Sequence, residues 1–197
     1  TKESIEKYRI MNKSLNDVLI TISAFITGSK TDGPFHDNTD LQYVKLDSTV
    51  TTIVEKSFSY CKSLERIEIP SSVKLLEKGA FENCYSLQKA SLPLSITKIS
   101  EHLFNSCRSL RVLVIPSSVT IINPFAFSYC SKLEEVLIPS SVTFIGERSF
   151  YICSSLTQVK IPSSVREIGK AVFEDCSSLT HVIVPPNMTK IVERSFY

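Results

Sequence analysis

The residues best suited to chemistry are cysteines, which recur at a constant interval of 23 residues. They are Cys61, Cys84, Cys107, Cys130, Cys153 and Cys176. A disulfide joins Cβ atoms about 3.8 Å apart that face each other, whereas equivalent positions in stacked coils lie about 4.8 Å apart with parallel side chains. The chain has no CxxC pair and no Cys/His cluster of the kind that holds structural zinc. We therefore predict unpaired thiols that act as small buried apolar groups.

The histidines, serines and glycines do not form a catalytic or cofactor-binding pattern. His36, His102 and His181 lie in different parts of the chain, with no metal-ligand spacing among them. Serine pairs such as Ser140-Ser141 recur as turn residues, whereas a catalytic serine is singular and paired with a base. The chain has only five glycines and no phosphate-binding glycine motif. We expect a protein that is not an enzyme, without catalytic residues, a metal or a cofactor.

Composition and charge argue against several other classes of protein. The 197 residues are 43% hydrophobic and 21% charged, which suits a folded chain that is neither disordered nor membrane-embedded. The 22 Lys and Arg residues nearly balance the 20 Asp and Glu residues, so nucleic acid is not expected as a partner. No apolar run approaches the roughly 18 residues of a membrane-spanning helix. We therefore expect no nucleic-acid partner and no direct membrane insertion by this segment.

The cysteines belong to a repeat unit in which leucine, proline and phenylalanine keep the same interval. One unit, Leu133 to Ser155, reads LEEVLIPSSVTFIGERSFYICSS. The alternation of Val136 and Ile138 predicts a short strand with apolar residues facing inward, and Pro139 ends it because proline donates no ladder hydrogen bond. Val142 and Ile145 predict a second short strand.

The remainder of the unit, residues 147–151, suits one turn of α- or 3₁₀-helix with Phe150 in the core. A single coil buries too little to hold, so stacking against neighbouring coils must supply the stability. These features predict an α/β-type solenoid that is mostly β, with short parallel strands and short helical turns.

The register of the repeat also divides the chain. A weak unit begins at Leu41, five full units follow from Leu64, and a truncated unit begins at Leu179. We predict repeats over residues 41–197 and an N-terminal flank or cap over residues 1–40, with a degenerate coil that reaches Phe35. At the other end we expect an open face.

The full unit resembles a known family. The segment IPSSV stands at Ile69–Val73, Ile115–Val119, Ile138–Val142 and Ile161–Val165, within the pattern I-P-S-S-V-x-x-I-x-x-x-A-F-x-x-C-x-S-L. This pattern resembles the BspA-like leucine-rich repeats of surface proteins from some bacteria and anaerobic protists. The resemblance covers about residues 41–197, and Asp47 replaces the proline in its weak first unit. It implies a right-handed solenoid with a sheet on the concave face, binding to host or matrix proteins, and no catalytic residues.

Columns that vary between repeats are free to recognise a partner. Two such columns should face outward on the strands. The candidate partner-binding residues in them are Tyr43, Arg66, Lys89, Val112, Val114, Glu135, Leu137, Gln158, Lys160, His181 and Ile183. Val112, Val114 and Leu137 form an apolar centre with a polar rim, which is typical of an interaction site. The alternative is that β-propensity alone accounts for these residues.

A further variable column follows the serine turn and contains Leu75, Ile121 and Phe144. We expect these three side chains to fill a lateral core.

For function, we expect a protein-binding module of a cell-surface adhesin that recognises a host or matrix protein. The alternative is an intracellular scaffold that uses the same solenoid. The unpaired thiols and the absence of a signal-peptide pattern after Thr1 favour the cytoplasmic alternative.

Overall fold

The computed structural model describes residues 33–188 and 190–196, which wind into a stack of β coils. The first strand of each coil has three residues: β1 (Tyr43–Lys45), β3 (Arg66–Glu68), β5 (Lys89–Ser91), β7 (Val112–Val114), β9 (Glu135–Leu137), β11 (Gln158–Lys160) and β13 (His181–Ile183). The second strand has two: β2 (Thr52–Ile53), β4 (Leu75–Leu76), β6 (Lys98–Ile99), β8 (Ile121–Ile122), β10 (Phe144–Ile145) and β12 (Glu167–Ile168). The mostly β solenoid and its second short strand are thereby confirmed.

Each strand pairs in parallel with the equivalent strand of the neighbouring coil. Tyr43 lies opposite Arg66 and Phe144 opposite Glu167, so the 23-residue interval is one physical turn of the solenoid. The three-residue strands form three separate ladders, β1-β3-β5, β7-β9 and β11-β13. Hydrogen bonding is therefore interrupted between β5 and β7 and again between β9 and β11.

A column of stacked phenylalanines fills the core. Neighbouring rings from Phe35 to Phe196 are nearly parallel, with centroids between 5.1 Å (Phe35–Phe58) and 5.9 Å (Phe104–Phe127) apart. Phe35 stacks on Phe58 in the same way as the phenylalanines of later coils stack on one another. The rest of the predicted N-terminal flank, residues 1–32, lies outside the described residues.

The cysteine column runs beside the phenylalanines. All six thiols are free and buried, as predicted. Each Sγ donates a hydrogen bond to the carbonyl of a phenylalanine 26 residues earlier; Cys107 Sγ, for example, lies 3.2 Å from Phe81 O. The thiol therefore fills space and gives the carbonyl a second donor, because that carbonyl already accepts a backbone N–H; Cys84 N, for example, lies 3.3 Å from Phe81 O.

The predicted helical turn of the repeat is wrong: residues 33–188 and 190–196 contain no helix. The backbone N–H groups of Arg148, Phe150 and Ile152 donate to carbonyls of the next coil at 2.9, 3.0 and 2.9 Å. Between them, Ser149 and Tyr151 donate to the carbonyl three residues back. Because every second donor is engaged by a neighbouring coil, no continuous helical ladder forms.

This alternation forces some side chains into left-handed backbone. Arg148 has φ of 50° and Ile152 has φ of 56°, and the equivalent residues of other coils behave alike, with φ of 57° at Phe125 and 61° at Asn83. Non-glycine residues adopt this conformation at a cost, most of all β-branched ones. The inter-coil hydrogen bonds stabilise it here.

The predicted lateral core of Leu75, Ile121 and Phe144 is also wrong. Leu75 is half-buried, and Ile121 and Phe144 are 37% and 39% exposed. In each two-residue strand the second residue, such as Ile122, points into the core. The first must then point outward, because side chains alternate along a strand.

Core positions are more exposed in the last described coil. Ile191 is 60% exposed, whereas its equivalents in earlier coils, such as Ile145 and Ile168, are buried.

Candidate partner-binding face

The outward side chains of the three-residue strands form one surface, which we call the main face. In a typical strand such as β9 the middle residue, Val136, is buried, and the residues on either side of it are exposed. The candidate partner-binding residues all lie on this face, in the two predicted columns. The outward residues of the two-residue strands form a second surface, the lateral face.

At the N-terminal end of the main face the charges are already matched within the chain. Lys45 Nζ lies 3.7 Å from Glu68 Oε2, and the Arg66 guanidinium lies 4.8 Å from the centre of the Tyr43 ring. A hydrogen bond from Tyr43 lowers the pKa of Glu68, and the nearby Lys45 lowers it further. This end therefore offers a partner little unsatisfied charge.

The middle of the main face is apolar. Val112, Val114 and Leu137, which we call the apolar patch, are 53%, 64% and 61% exposed. Val114 and Leu137 lie directly opposite each other on β7 and β9, while Val112 lies opposite Glu135. The patch thus occupies the separate β7-β9 ladder. The patch is more accessible than Ile121 and Phe144 on the lateral face.

A shallow cavity of about 470 Å³ adjoins the patch where β9 and β11 part. Its lining comes from three successive coils and combines apolar and charged side chains. The residues that line it are Glu135, Val136, Leu137, Ile138, Ser140, Gln158, Val159, Lys160, Pro162, His181 and Ile183. Leu137 of the patch and Lys160 thus line the same cavity.

Three charges around the patch have no ion-pair partner within the described part of the chain: Lys89, Glu135 and Lys160. All three are exposed. An unpaired exposed charge costs nothing to leave in water, and it remains available to a charge on a binding partner.

The turn side of the solenoid differs in this respect. There Lys78 and Glu101 are 2.8 Å apart, and Lys170 and Glu193 are 3.2 Å apart, each pair joining neighbouring coils. The buried carboxylate of Glu174 accepts a hydrogen bond from Arg194 at 3.1 Å. These paired charges stabilise the stack of coils, in contrast to the unpaired charges of the main face.

Other kinds of site find no support in residues 33–188 and 190–196. They contain no group of three or more His, Cys, Asp or Glu side chains placed to hold a metal ion. Across the same residues, no helix has the length and apolar character required to cross a membrane.

Sequence reasoning missed part of the cavity. Ile138, Ser140 and Pro162 line it, yet they belong to columns that keep a similar residue in most coils. A search for variable columns passes over such residues, and the parting of β9 from β11 has no local sequence signal.

Solved structures with the same fold come from several bacteria. A leucine-rich repeat protein from Bacteroides ovatus shows 29% identity and a TM-score of 0.77, over 86% of this chain and 46% of that one. A leucine-rich repeat protein of T. pallidum shows 29% identity and a TM-score of 0.71, over 82% and 78% of the two chains. The pneumococcal vaccine antigen PcpA shares the fold at 21% identity and a TM-score of 0.51, over 75% and 52%.

The chain spans less than half of the Bacteroides ovatus protein. No curated protein gives a significant match. The family model of the BspA type leucine rich repeat region matches in six copies, over residues 3–128, 31–153 and 98–197. Because these matches together span nearly the whole sequence, the protein belongs to the family of BspA-type leucine-rich repeat proteins.

Proposed function

We propose that this protein is a non-enzymatic recognition module whose main face binds another protein at the cell surface, as part of an adhesin. The observation that carries the proposal is the apolar patch of Val112, Val114 and Leu137, exposed on adjacent strands and surrounded by unpaired charges. Repeat solenoids present such extended surfaces, and an apolar centre with a polar rim is the usual anatomy of a protein interface.

The energetic argument favours a protein partner. Fully burying a Val or Leu side chain stabilises a complex by about 1.5–3 kcal/mol, and the patch residues are each more than half exposed before binding. Covering all three therefore contributes roughly 3 kcal/mol, or about a hundredfold in affinity. Lys89, Glu135 and Lys160 then select among partners by their charge.

We base the surface location on the resemblance of the repeat pattern to BspA-like repeats of bacterial and protist surface proteins; the family match itself shows the repeat type. The competing function is an intracellular scaffold that uses the same face. One observation favours it: all six cysteines are free, as is usual in reducing compartments.

Binding is tested by incubating beads that carry the protein with a panel of purified matrix and host-surface proteins. The double variant Val114→Lys with Leu137→Glu should weaken capture of the bound panel member by at least about tenfold. The matched control, Ile121→Lys with Phe144→Glu on the lateral face, should bind like the parent. Urea unfolding of both variants shows whether the fold is retained. Unchanged capture by a folded Val114/Leu137 variant contradicts the proposal.

Location is tested by labelling cells of the source organism with an antibody against the module. Labelling of intact cells is expected. Labelling that appears only after permeabilisation supports the intracellular scaffold instead.

A further inference from the structure

We propose that the main face recognises an extended acidic–x–apolar–x–acidic segment of its protein partner. The two acidic side chains pair with Lys89 and Lys160, and the apolar side chain between them packs on the apolar patch. This inference rests on the proposed function and specifies the chemistry of the partner.

The spacing of the two lysines sets the spacing of the motif. Lys89 lies on β5 and Lys160 on β11, three coils apart. Neighbouring strands lie about 4.8 Å apart, so the two positions are separated by about 14 Å along the stack. Lys89 is the first residue of β5 and Lys160 the last of β11, so they are also offset by about 7 Å along the strands and lie about 16 Å apart. In an extended chain, residues i and i+4 lie about 13–14 Å apart and point to the same side as residue i+2. An extended segment lying obliquely across the strands therefore brings three alternate side chains to the patch and within reach of the long side chains of Lys89 and Lys160.

The charges are complementary to such a segment. Both lysines are exposed and without an ion-pair partner in the described chain, whereas Lys45 on the same face is engaged by Glu68. Lys160 lines the cavity between Leu137 and Ile183. A carboxylate that reaches Lys160 is partly shielded from water by these apolar walls, which strengthens the pair relative to an open surface.

Among the described residues, Glu135 is an exposed carboxylate near this path without an ion-pair partner. It lies opposite Val112 in the same outward column as Lys89, beside the line that runs from Lys89 across the apolar patch to Lys160. Its charge opposes an acidic segment, so its removal should improve binding. The Glu135 variant should therefore change the affinity in the direction opposite to the lysine variants.

The lateral face lacks this pattern. In its column Ile121 and Phe144 are flanked by Lys98 on one side and Glu167 on the other, which are of opposite charge. An acidic–x–apolar–x–acidic segment would meet repulsion at Glu167. The lateral face therefore supplies the matched control for both peptide and protein variants.

The test measures fluorescence anisotropy of short labelled peptides that carry Asp, Phe and Asp at alternate positions among Thr, Ser and Gly. This peptide should bind the intact chain, and its Lys-x-Phe-x-Lys counterpart should not. Lys89→Gln and Lys160→Gln should each weaken binding about two- to fivefold, whereas Glu135→Gln should strengthen it. The control Lys98→Gln should have no effect. Added salt should weaken the binding of the acidic peptide.

Any one of three results overturns this inference. They are equal affinity for the acidic and basic peptides, no binding of either peptide, and weaker binding by the Glu135 variant. The protein-binding function still stands in that case if Val114→Lys with Leu137→Glu abolishes capture of the panel protein. If capture survives that double variant, the proposed function fails as well. A different result would assign the main face to a second copy of the chain. In that case neither peptide binds, and the chain self-associates in a way that the double variant abolishes.

Discussion

At the scale of single residues, each cysteine sits against a phenylalanine carbonyl of a preceding coil, where it has little opportunity to react. Burial raises the pKa of Cys84 and Cys107 well above the usual thiol value, and that of Cys130 to about 12. A thiol with such a pKa remains protonated near neutral pH, and the protonated form is a poor nucleophile. The residues that first suggest chemistry are therefore structural.

Thiol reactivity provides the first prediction. The folded chain should react only slowly with a thiol reagent, and all six thiols should react after denaturation. Cys176 should be alkylated first, because it is 7% exposed whereas the other five are fully buried. Brief alkylation followed by mass spectrometry measures the order. A reductant-sensitive cysteine pair, or equal early labelling of Cys107 and Cys176, contradicts this account.

A second prediction concerns the left-handed turn residues. Ile152 is β-branched with φ of 56°, and the equivalent residue Asn83 has φ of 61°. Asparagine tolerates this conformation, whereas isoleucine is strained in it by about 1–2 kcal/mol. Ile152→Asn should therefore raise the free energy of unfolding by about 0.5–1 kcal/mol, measured by urea denaturation. Asn83→Ile should lower it by a similar amount; the opposite signs would refute the strain argument.

At the scale of elements, the phenylalanine stack joins the coils. Phe127 lies 5.9 Å from Phe104 and 5.2 Å from Phe150, measured between ring centroids. Phe127→Ala should cost about 3–5 kcal/mol of unfolding free energy and reduce amide hydrogen-exchange protection in both neighbouring coils. The control Val114→Ala, at an exposed position, should cost about 0.5 kcal/mol. A loss confined to the mutated coil contradicts a continuous core.

The strands and their register follow from the sequence, but the turns do not. The alternation of inward and outward residues around Val136 and the constant interval of the phenylalanines predict which columns face inward and which face outward. The turn conformation depends on carbonyls of another coil, which accept from Phe150 and Ile152, so a local reading favoured a helix. The prediction of a lateral core was wrong because it relied on the apolar character of Phe144. The alternation of side chains within β10 decides the direction in which Phe144 points.

At the scale of the whole molecule, the repeat separates the columns that build the core from the columns that vary on the surface. The stack builds its core from columns that keep their identity, and it leaves the main face to columns that vary. Of the features on that face, the apolar patch follows from the sequence. The cavity beside Lys160 does not, because its walls come from three successive coils.

The most direct test of the central claim is a methyl NMR titration of the Ile-, Leu- and Val-labelled chain with the protein that the binding panel selects. We predict shifts or broadening at Val112, Val114 and Leu137, with the lateral methyls of Leu75 and Ile121 unchanged. Perturbation of Leu75 and Ile121 with no change at the apolar patch would contradict the account and move the binding site to the lateral face.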